Sequence, residues 1–336
     1  MVEIYFLGVG GSVPARDRGL PAIAIRRPTE TILFDCGEGS QTSFFQAKLG
    51  VNRPLKVLIT HLHGDHVFGL PSLLYTLSLM GRERPVEIVG PPGLYSFIKT
   101  SLETGGGGLG YDLRIYEVEP GNSLKVLFET KDYVISAGLA AHTVPAFFYI
   151  YKEKPRPGKF NAEKALELGI PPGPLRKKLQ EGRPVALPNG KVVYPSDVME
   201  PPIDGVKIAY SGDTAFTPRL IRAAQSSDIL IHDSTFTEKH RHQSEQKGHS
   251  TAMQAGLVAR ESKSAVLFLF HFSQRYRELS VLLDEARKVH RLSFLSKRGM
   301  KVLVKKDRNS LLLLFSDFLT GRWKKPSIYD KSVCYA

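Results

Sequence analysis

His61-Leu62-His63-Gly64-Asp65-His66 stands directly behind a short buried-strand signal at residues 57–60. A strand end delivers side chains to the rim of a sheet, and here four ligand-type residues crowd into six positions. His61 and His63, two apart, can turn toward one metal ion. Asp65 and His66 can serve a second on the other side of the turn. Just beyond the cluster, residues 69–80 have helical spacing with Pro71 near the start, where proline is tolerated. Residues 3–7, 22–25 and 31–34 read as strands, the first turning at Gly8-Val9-Gly10-Gly11-Ser12. The second half repeats this grammar. A strand at 207–210 runs into Ser211-Gly212-Asp213, one at 228–231 into His232-Asp233, and one at 266–270 into His271. Ser250 is placed to cap a helix reaching Arg260.

The halves are separated by a different composition. Residues 152–202 carry Pro155, Pro157, Pro171, Pro172, Pro174, Pro184, Pro188, Pro195, Pro201 and Pro202, few buried-strand signals and one helix signal at 162–168. They read as an inserted arm. The formal net charge of +13 over 336 residues is concentrated. Residues 287–336 hold 13 Lys and Arg against 3 Asp, and residues 151–183 hold 9 against 4 Glu, so the remainder is close to neutral. Charge held on appendages is the footprint of a polyanionic partner, or else a solvated basic face with a basic tail. No apolar run approaches the ~18 residues needed to span a bilayer. The N-terminus lacks a secretory pattern. Two cysteines make no disulfide framework, so a cytoplasmic setting is expected.

The strand-end cluster resembles the signature of the metallo-β-lactamase superfamily of metal-dependent hydrolases. Further stretches narrow the resemblance to the ribonuclease Z family of tRNA 3′-processing endonucleases, in its short form. They are Phe34-Asp35-Cys36-Gly37-Glu38-Gly39-Ser40-Gln41, Gly69-Leu70-Pro71, Gly169-Ile170-Pro171-Pro172-Gly173-Pro174, Ser211-Gly212-Asp213-Thr214, His249-Ser250-Thr251 and His271-Phe272-Ser273 with Arg275-Tyr276. The likeness covers about residues 1–287. It implies a four-layer αβ/βα sandwich, two mixed sheets face to face with helices outside. The organisation expected is a catalytic domain over 1–290, an inserted basic tRNA-binding arm over 151–200, and a basic C-terminal extension over 291–336. That extension adds RNA contacts, packs as an extra sheet edge, or is poorly ordered.

The resemblance also implies a site. One zinc ion would be held by His61, His63, His142 and Asp213, and a second by Asp65, His66, Asp213 and His271, with Asp213 shared. Asp35 would orient a ligating histidine. Asp65 would place or deprotonate the attacking water, and His249 would protonate the leaving 3′-oxygen of the tRNA. Asp233 stands where the family usually has Glu and would orient His249 with a shorter reach. Arg16 and Arg18 follow Pro14 in a loop resembling the family's substrate-end loop, with Arg for Lys and Gly19 for Asn. Lys152, Lys154, Arg176, Lys177 and Lys178 of the arm would meet tRNA phosphates, with the arm of one subunit of a homodimer serving the other. The implied reaction removes the 3′ trailer from precursor tRNA, leaving a 3′-hydroxyl on the tRNA and a 5′-phosphate on the trailer. Two other readings stay open. One is a small-ester or phosphodiester hydrolase of the same fold, against which the basic arm argues. The other is a non-catalytic RNA-binding protein, against which the intact ligand set argues.

Overall fold

A computed structural model describes residues 2–15, 17–308 and 310–322, and the backbone of Ser327–Asp330. It divides into two units, Met1–Lys152 with Val206–Ala336, and Glu153–Gly205.

The first unit is built on two large sheets. One has nine strands, in the order Ser327–Asp330, Ser310–Asp317, Met300–Lys306, Val2–Gly8, Ala22–Arg26, Thr31–Phe34, Leu55–Leu58, Val86–Gly90 and Leu113–Glu117. The other has seven, in the order Ser293–Leu295, Val266–Phe270, Ile229–Asp233, Lys207–Tyr210, Phe147–Glu153, Tyr133–Leu139 and Lys125–Glu129. Both are mixed. Thr31–Phe34 and Leu55–Leu58 pair in parallel in the first sheet. Lys207–Tyr210, Ile229–Asp233 and Val266–Phe270 pair in parallel in the second. Parallel strands end on the same side, and ligands gather outside such carboxyl ends. That single fact brings Asp35 and His61 to one rim, and Asp213, Asp233 and His271 to another.

The inner faces interlock through aromatic rings. Phe6 of the first sheet lies 5.4 Å from Phe268 of the second, and Phe34 5.7 Å from Tyr210, both within the favourable range for ring pairs. On the outer face of the nine-stranded sheet, Leu70, Leu73, Leu74 and Leu77 of Gly69–Leu79 cover Tyr5, Leu33 and Val57. Ala252, Ala255, Val258 and Ala259 of Ala252–Glu261 are buried in the cluster that contains the seven-stranded sheet. The layers run helix, sheet, sheet, helix, as the expected fold requires. The cap of Ala252–Glu261 falls one residue later than the sequence pattern placed it. Thr251 accepts from Gln254 N and Gln254 Oε1 accepts from Thr251 N, a reciprocal capping box, while Ser250 Oγ donates to Thr214 O at 2.7 Å.

The basic segment after residue 290 enters both sheets. Ser293–Leu295 pairs with Val266–Phe270, and Met300–Lys306 is sandwiched between Val2–Gly8 and Ser310–Asp317. Its cations mask a period of two: Val302 and Val304 are fully buried while the alternate Lys305 is exposed.

The second unit has its own core of Ala165, Ile170, Leu179, Val185, Leu187, Val193 and Val198. Three helices, Ala162–Glu167, Pro174–Gln180 and Pro195–Val198, and a two-residue ladder carry it. The sequence pattern gave only the first helix. Pro174 looked like one more arm proline, whereas it opens a helix at a position where its missing N–H costs nothing. No helix among the described residues is long and apolar enough to cross a membrane.

Candidate metal centre

His61, His63, Asp65 and His66 follow the strand Leu55–Leu58; His142 follows Tyr133–Leu139; Asp213 follows Lys207–Tyr210; His271 follows Val266–Phe270. The structure brings all seven together. Nε2 of His61 lies 3.0 Å from Nδ1 of His63, which lies 3.3 Å from Nε2 of His142, and Oδ2 of Asp213 is 3.7 Å from His61 Nε2. On the other side, His66 Nε2 lies 3.3 Å from both His271 Nε2 and Asp213 Oδ1. Nε2 of His271 is 3.2 Å from Asp213 Oδ2 and 3.4 Å from Asp65 Oδ2. Asp213 therefore belongs to both sets.

The donor set fits a divalent metal. Four ligands at the usual zinc bond lengths sit about 3.3 Å apart along the edges of a tetrahedron, the spacing seen in both groups. The outer nitrogens of four of the five histidines are already committed. His66 Nδ1 donates to Asp35 Oδ2 (2.8 Å), His142 Nδ1 to the carbonyl of Gly248 (2.7 Å), and His271 Nδ1 to Thr235 Oγ1 (2.8 Å). His61 Nδ1 lies 2.9 Å from Thr60 Oγ1, which in turn reaches Asp35 Oδ1 at 2.9 Å. When the rings are neutral, protons on these outer nitrogens leave lone pairs facing one another inside, which repel unless a cation lies between them. Oδ1 of Asp213 is buried with no hydrogen-bond partner among the described residues.

Asp35 anchors this shell. It is fully buried and accepts from Thr60 N (2.7 Å), Tyr210 OH (2.7 Å) and His66 Nδ1. It sits at φ 55°, and His271 at φ 61°, both in the left-handed region that costs a non-glycine residue of order 1–3 kcal/mol. Two glycines make room for the rings. A Cβ on Gly11 would lie 2.3 Å from the His271 ring, and one on Gly248 2.8 Å from His142 Nδ1.

The titration of these groups follows from burial and charge together. Burial drives His61 well below the ordinary imidazole range, reinforced by His66, and also lowers His63 and His142. Burial opposes charge on His66 too, but the carboxylates of Asp213 and Asp35 outweigh it and raise it well above that range. Burial would raise Asp213, yet His271 and His66 hold it well below the usual carboxylate range. Asp65 is likewise lowered against its burial, first by its hydrogen bond with His271.

His249 stands beside the two sets. Its Nδ1 donates to Asp233 Oδ2 at 2.8 Å, and its ring stacks on His271 with centroids 5.2 Å apart. Burial disfavours its charged form, but Asp233 and then Asp213 push its pKa up to about 9. Although Asp233 and His249 lie close enough to Asp213 and His271 to form a further donor group, Asp233 is already saturated. Its Oδ1 accepts from Thr235 N and Oγ1, and its Oδ2 from Thr214 N. The shorter carboxylate thus reaches His249 unaided.

Sequence reasoning missed several parts of the site. Ser12 N donates to Asp65 Oδ2 at 2.6 Å, Tyr210 OH holds Asp35, and Thr235 ties Asp233 to His271. The one available signal was position, since Tyr210 and Thr235 flank strand ends already singled out. The structure corrects Arg18. It is 6% exposed, and its guanidinium donates to the carbonyls of Ser273 (2.9 Å) and Tyr276, clamping that loop. A cation in a loop looks free in sequence, but here carbonyls occupy it. Arg16 lies outside the described residues. In the second unit, Arg176 donates to Ile170 O through Nε and Nη2 (3.0 and 2.9 Å), whereas Lys177 and Lys178 are exposed. Lys152 is exposed and Lys154 half-buried.

Comparison with known proteins agrees with this geometry. A sequence profile described as "Beta-lactamase superfamily domain" matches residues 195–272, and one described as "Anti-Pycsar protein Apyc1" matches residues 2–131. The chain is 40% identical over 290 residues to "Ribonuclease Z" of Methanosarcina mazei, covering 86% of this chain and 93% of that one. It is 37% identical over 305 residues to "Ribonuclease Z" of Methanothermobacter thermautotrophicus, covering 91% and 97%. Among solved structures it superposes on the short form of human tRNase Z with a TM-score of 0.66 at 26% identity, covering 90% of this chain and all of that one. The metallo-β-lactamase fold protein YhfI of Bacillus subtilis, at 15% identity and TM-score 0.61, shares the fold alone. Identity at this level over nearly the whole length of both chains means that this protein belongs to the ribonuclease Z family.

Proposed function

We propose that this enzyme is a zinc-dependent endoribonuclease that cuts precursor tRNA at the start of its 3′ trailer, leaving a 3′-hydroxyl on the tRNA and a 5′-phosphate on the trailer. The observation that carries this reading is the pair of donor sets sharing Asp213, with the His249–Asp233 pair set beside them, in a chain of this family. His61, His63, His142 and Asp213 would hold one zinc ion, and Asp65, His66, His271 and Asp213 a second. When bound, two such ions activate water and neutralise charge on a phosphodiester.

The chain's own residues supply the rest. Asp65, fixed by the amide of Ser12, holds a carboxylate where the attacking water loses its proton. His249, locked through Nδ1 onto Asp233, has Nε2 left to carry a proton to the departing 3′-oxygen. Thr235 bridges Asp233 and His271, which links the proton donor to the donor sets. Lys152, Lys154, Lys177 and Lys178 provide cations for tRNA phosphates, and Arg176 stiffens its own loop. A cytoplasmic homodimer completes the reading. In support, Phe68, Leu79, Met80 and Tyr95, on or beside two neighbouring helices, expose apolar surface.

The direct test is incubation with an end-labelled precursor tRNA, mapping the cut to the nucleotide. Cleavage at the tRNA–trailer junction is expected, and none, with a small phosphodiester still hydrolysed, would reject the substrate. Metal analysis tests the centre: two zinc ions per chain, with Asp213→Ala losing both metal occupancy and cleavage. An active Asp213→Ala enzyme would overturn the shared-ligand assignment.

A further inference from the structure

The turn at Ser12 is strained and held from outside. Ser12 sits at φ 62°, a left-handed conformation that a residue with a side chain keeps only where its surroundings impose it. Its own side chain is exposed and does not impose it. What the conformation delivers is the amide, which donates to Asp65 Oδ2 at 2.6 Å. The supports can be followed outward. Gly10–Gly11, immediately before the turn, pairs with Phe272–Ser273. The amides of Val9 and Gly10 donate to the carbonyls of Arg18 (2.9 Å) and Gly19 (2.8 Å), which ties the two ends of the loop together. Gly19 has φ 62° as well, where glycine is at ease, so its carbonyl is aimed at Gly10 without strain. Behind Gly19 lies Arg298.

Arg298 is anchored on every side. Its backbone neighbours are tied to both sheets, the amide of Ser296 to Leu269 O at 3.2 Å and that of Gly299 to Phe6 O at 3.0 Å. Its Nε donates at 3.2 Å to Oγ of Ser43, a buried side chain. Between these anchors the side chain runs against Gly19. A Cβ at residue 19 would come 3.3 Å from Arg298 Cδ, tighter than an ordinary carbon contact. Gly19 stands where the family usually has Asn, and the missing side chain leaves the space in which Arg298 lies. Arg298 itself belongs to the segment after residue 290, beyond the stretch that resembles the family. The geometry points to Arg298 as a positioning residue that, packed on Gly19, braces the strained turn holding the Ser12 amide on Asp65. The support passes from Arg298 to Gly19, from the Gly19 carbonyl to the Gly10 amide, and through Gly11 to Ser12, bypassing residues 13–17. This rests on the reading of Asp65 as the group that places the attacking water. It gives the C-terminal segment a part in the rate without any contact to substrate.

The test uses the full-length, metal-loaded enzyme with Arg298→Ala, Ser43→Ala, and Arg298→Ala combined with Ser12→Gly. The first readout is hydrogen exchange at the amide of residue 12, which needs no substrate. Exchange should quicken several-fold in Arg298→Ala. Glycine meets no strain at this φ, so adding Ser12→Gly should slow exchange again without the brace. Unchanged exchange in Arg298→Ala overturns the inference, and so does an Arg298→Ala defect that Ser12→Gly leaves in place. The second readout is hydrolysis of a nitrophenyl phosphodiester. In Arg298→Ala kcat should fall by up to about 10²-fold, the scale of an ångström-sized misplacement, with KM little changed. Ser43→Ala, which releases Arg298 Nε, should lose part of that rate. Added to Arg298→Ala it should cost nothing more, because both remove one support. Ser12→Gly should restore most of the rate in the Arg298→Ala background, which a general loss of stability would not allow. Unchanged exchange with only the KM for precursor tRNA raised would make Arg298 an RNA contact instead. Faster exchange with an intact kcat would keep the brace and refute the reading of Asp65. Hydrolysis of the small phosphodiester without any cut in precursor tRNA would refute the tRNA reading alone.

Discussion

At the scale of single residues, the site separates groups that face inward from groups that hold them. His249 is the decisive case, because it is hydrogen-bonded to Asp233 and stacked on His271 yet lies outside both donor sets. A ribose oxygen leaves poorly without a proton, and general acid assistance is typically worth about 10²–10⁴ in rate. His249→Ala should therefore keep its metal and near-normal tRNA affinity while kcat on precursor tRNA falls by about that factor. With a nitrophenyl phosphodiester, whose leaving group departs as a stable anion, the same variant should lose far less. Equal losses on both substrates, or loss of metal, would make His249 a ligand or a structural residue. His61, His63 and His66 were legible in the sequence because their spacing is local, while His142 and His271 came from the family resemblance. Of the residues that orient them, Asp35 was reached through the family resemblance, and its own supports were not legible. Asp35 owes its role to a left-handed φ and to Tyr210, which is 175 positions away, and Ser12 acts through a backbone amide that no side-chain motif records.

At the scale of elements, strand ends were readable and the segments between them less so. The buried runs before His61, Asp213 and His271 end within a few residues of their expected limits because apolar runs and turn residues agree there. The arm was legible as an insertion from its prolines, but its own packed core was not, since short helices opened by proline leave little periodic signal. Its excision can be designed from the ladder that flanks it. Tyr151 pairs with Ile208 and Lys152 with Lys207 in antiparallel register, so residues 153–206 can be replaced by a two-residue Asn-Gly hairpin turn. No donor-set residue lies in the excised span. The shortened enzyme should hydrolyse a nitrophenyl phosphodiester at close to the parent rate. Its affinity for tRNA should fall at least tenfold at moderate salt, with a shallower salt dependence. Parallel loss of both activities would make the arm part of the catalytic fold.

At the scale of the whole molecule, the two sheets are joined by more than their shared core. Lys306, at the end of Met300–Lys306 in the nine-stranded sheet, donates to Oδ2 of Asp228 at 2.6 Å. Asp228 leads into Ile229–Asp233 of the seven-stranded sheet, and its carboxylate also accepts from Lys207 N. The paired side chains are 7% and 5% exposed. The segment after residue 290 is thus fastened to the fold by a buried ion pair as well as by strand pairing, although in the sequence Lys306 reads as one more cation of a basic tail. Burying two charges consumes most of what their attraction supplies, so the pair as a whole adds little net stability. Removing one partner strands the other, which typically costs about 3–5 kcal/mol. Lys306→Met should lower the unfolding free energy of the metal-loaded protein by about that amount in guanidinium titration. The double variant Lys306→Met, Asp228→Asn should recover most of the loss, because no uncompensated charge remains inside. The metal centre reads out the same change differently. It gathers strand ends from both sheets, so a shift of one sheet against the other would pull His61 away from Asp213. If the pair only balances charge, the double variant keeps its metal affinity and cleavage rate. If it also sets the spacing of the sheets, stability returns in the double variant but chelators strip its metal faster than from the parent.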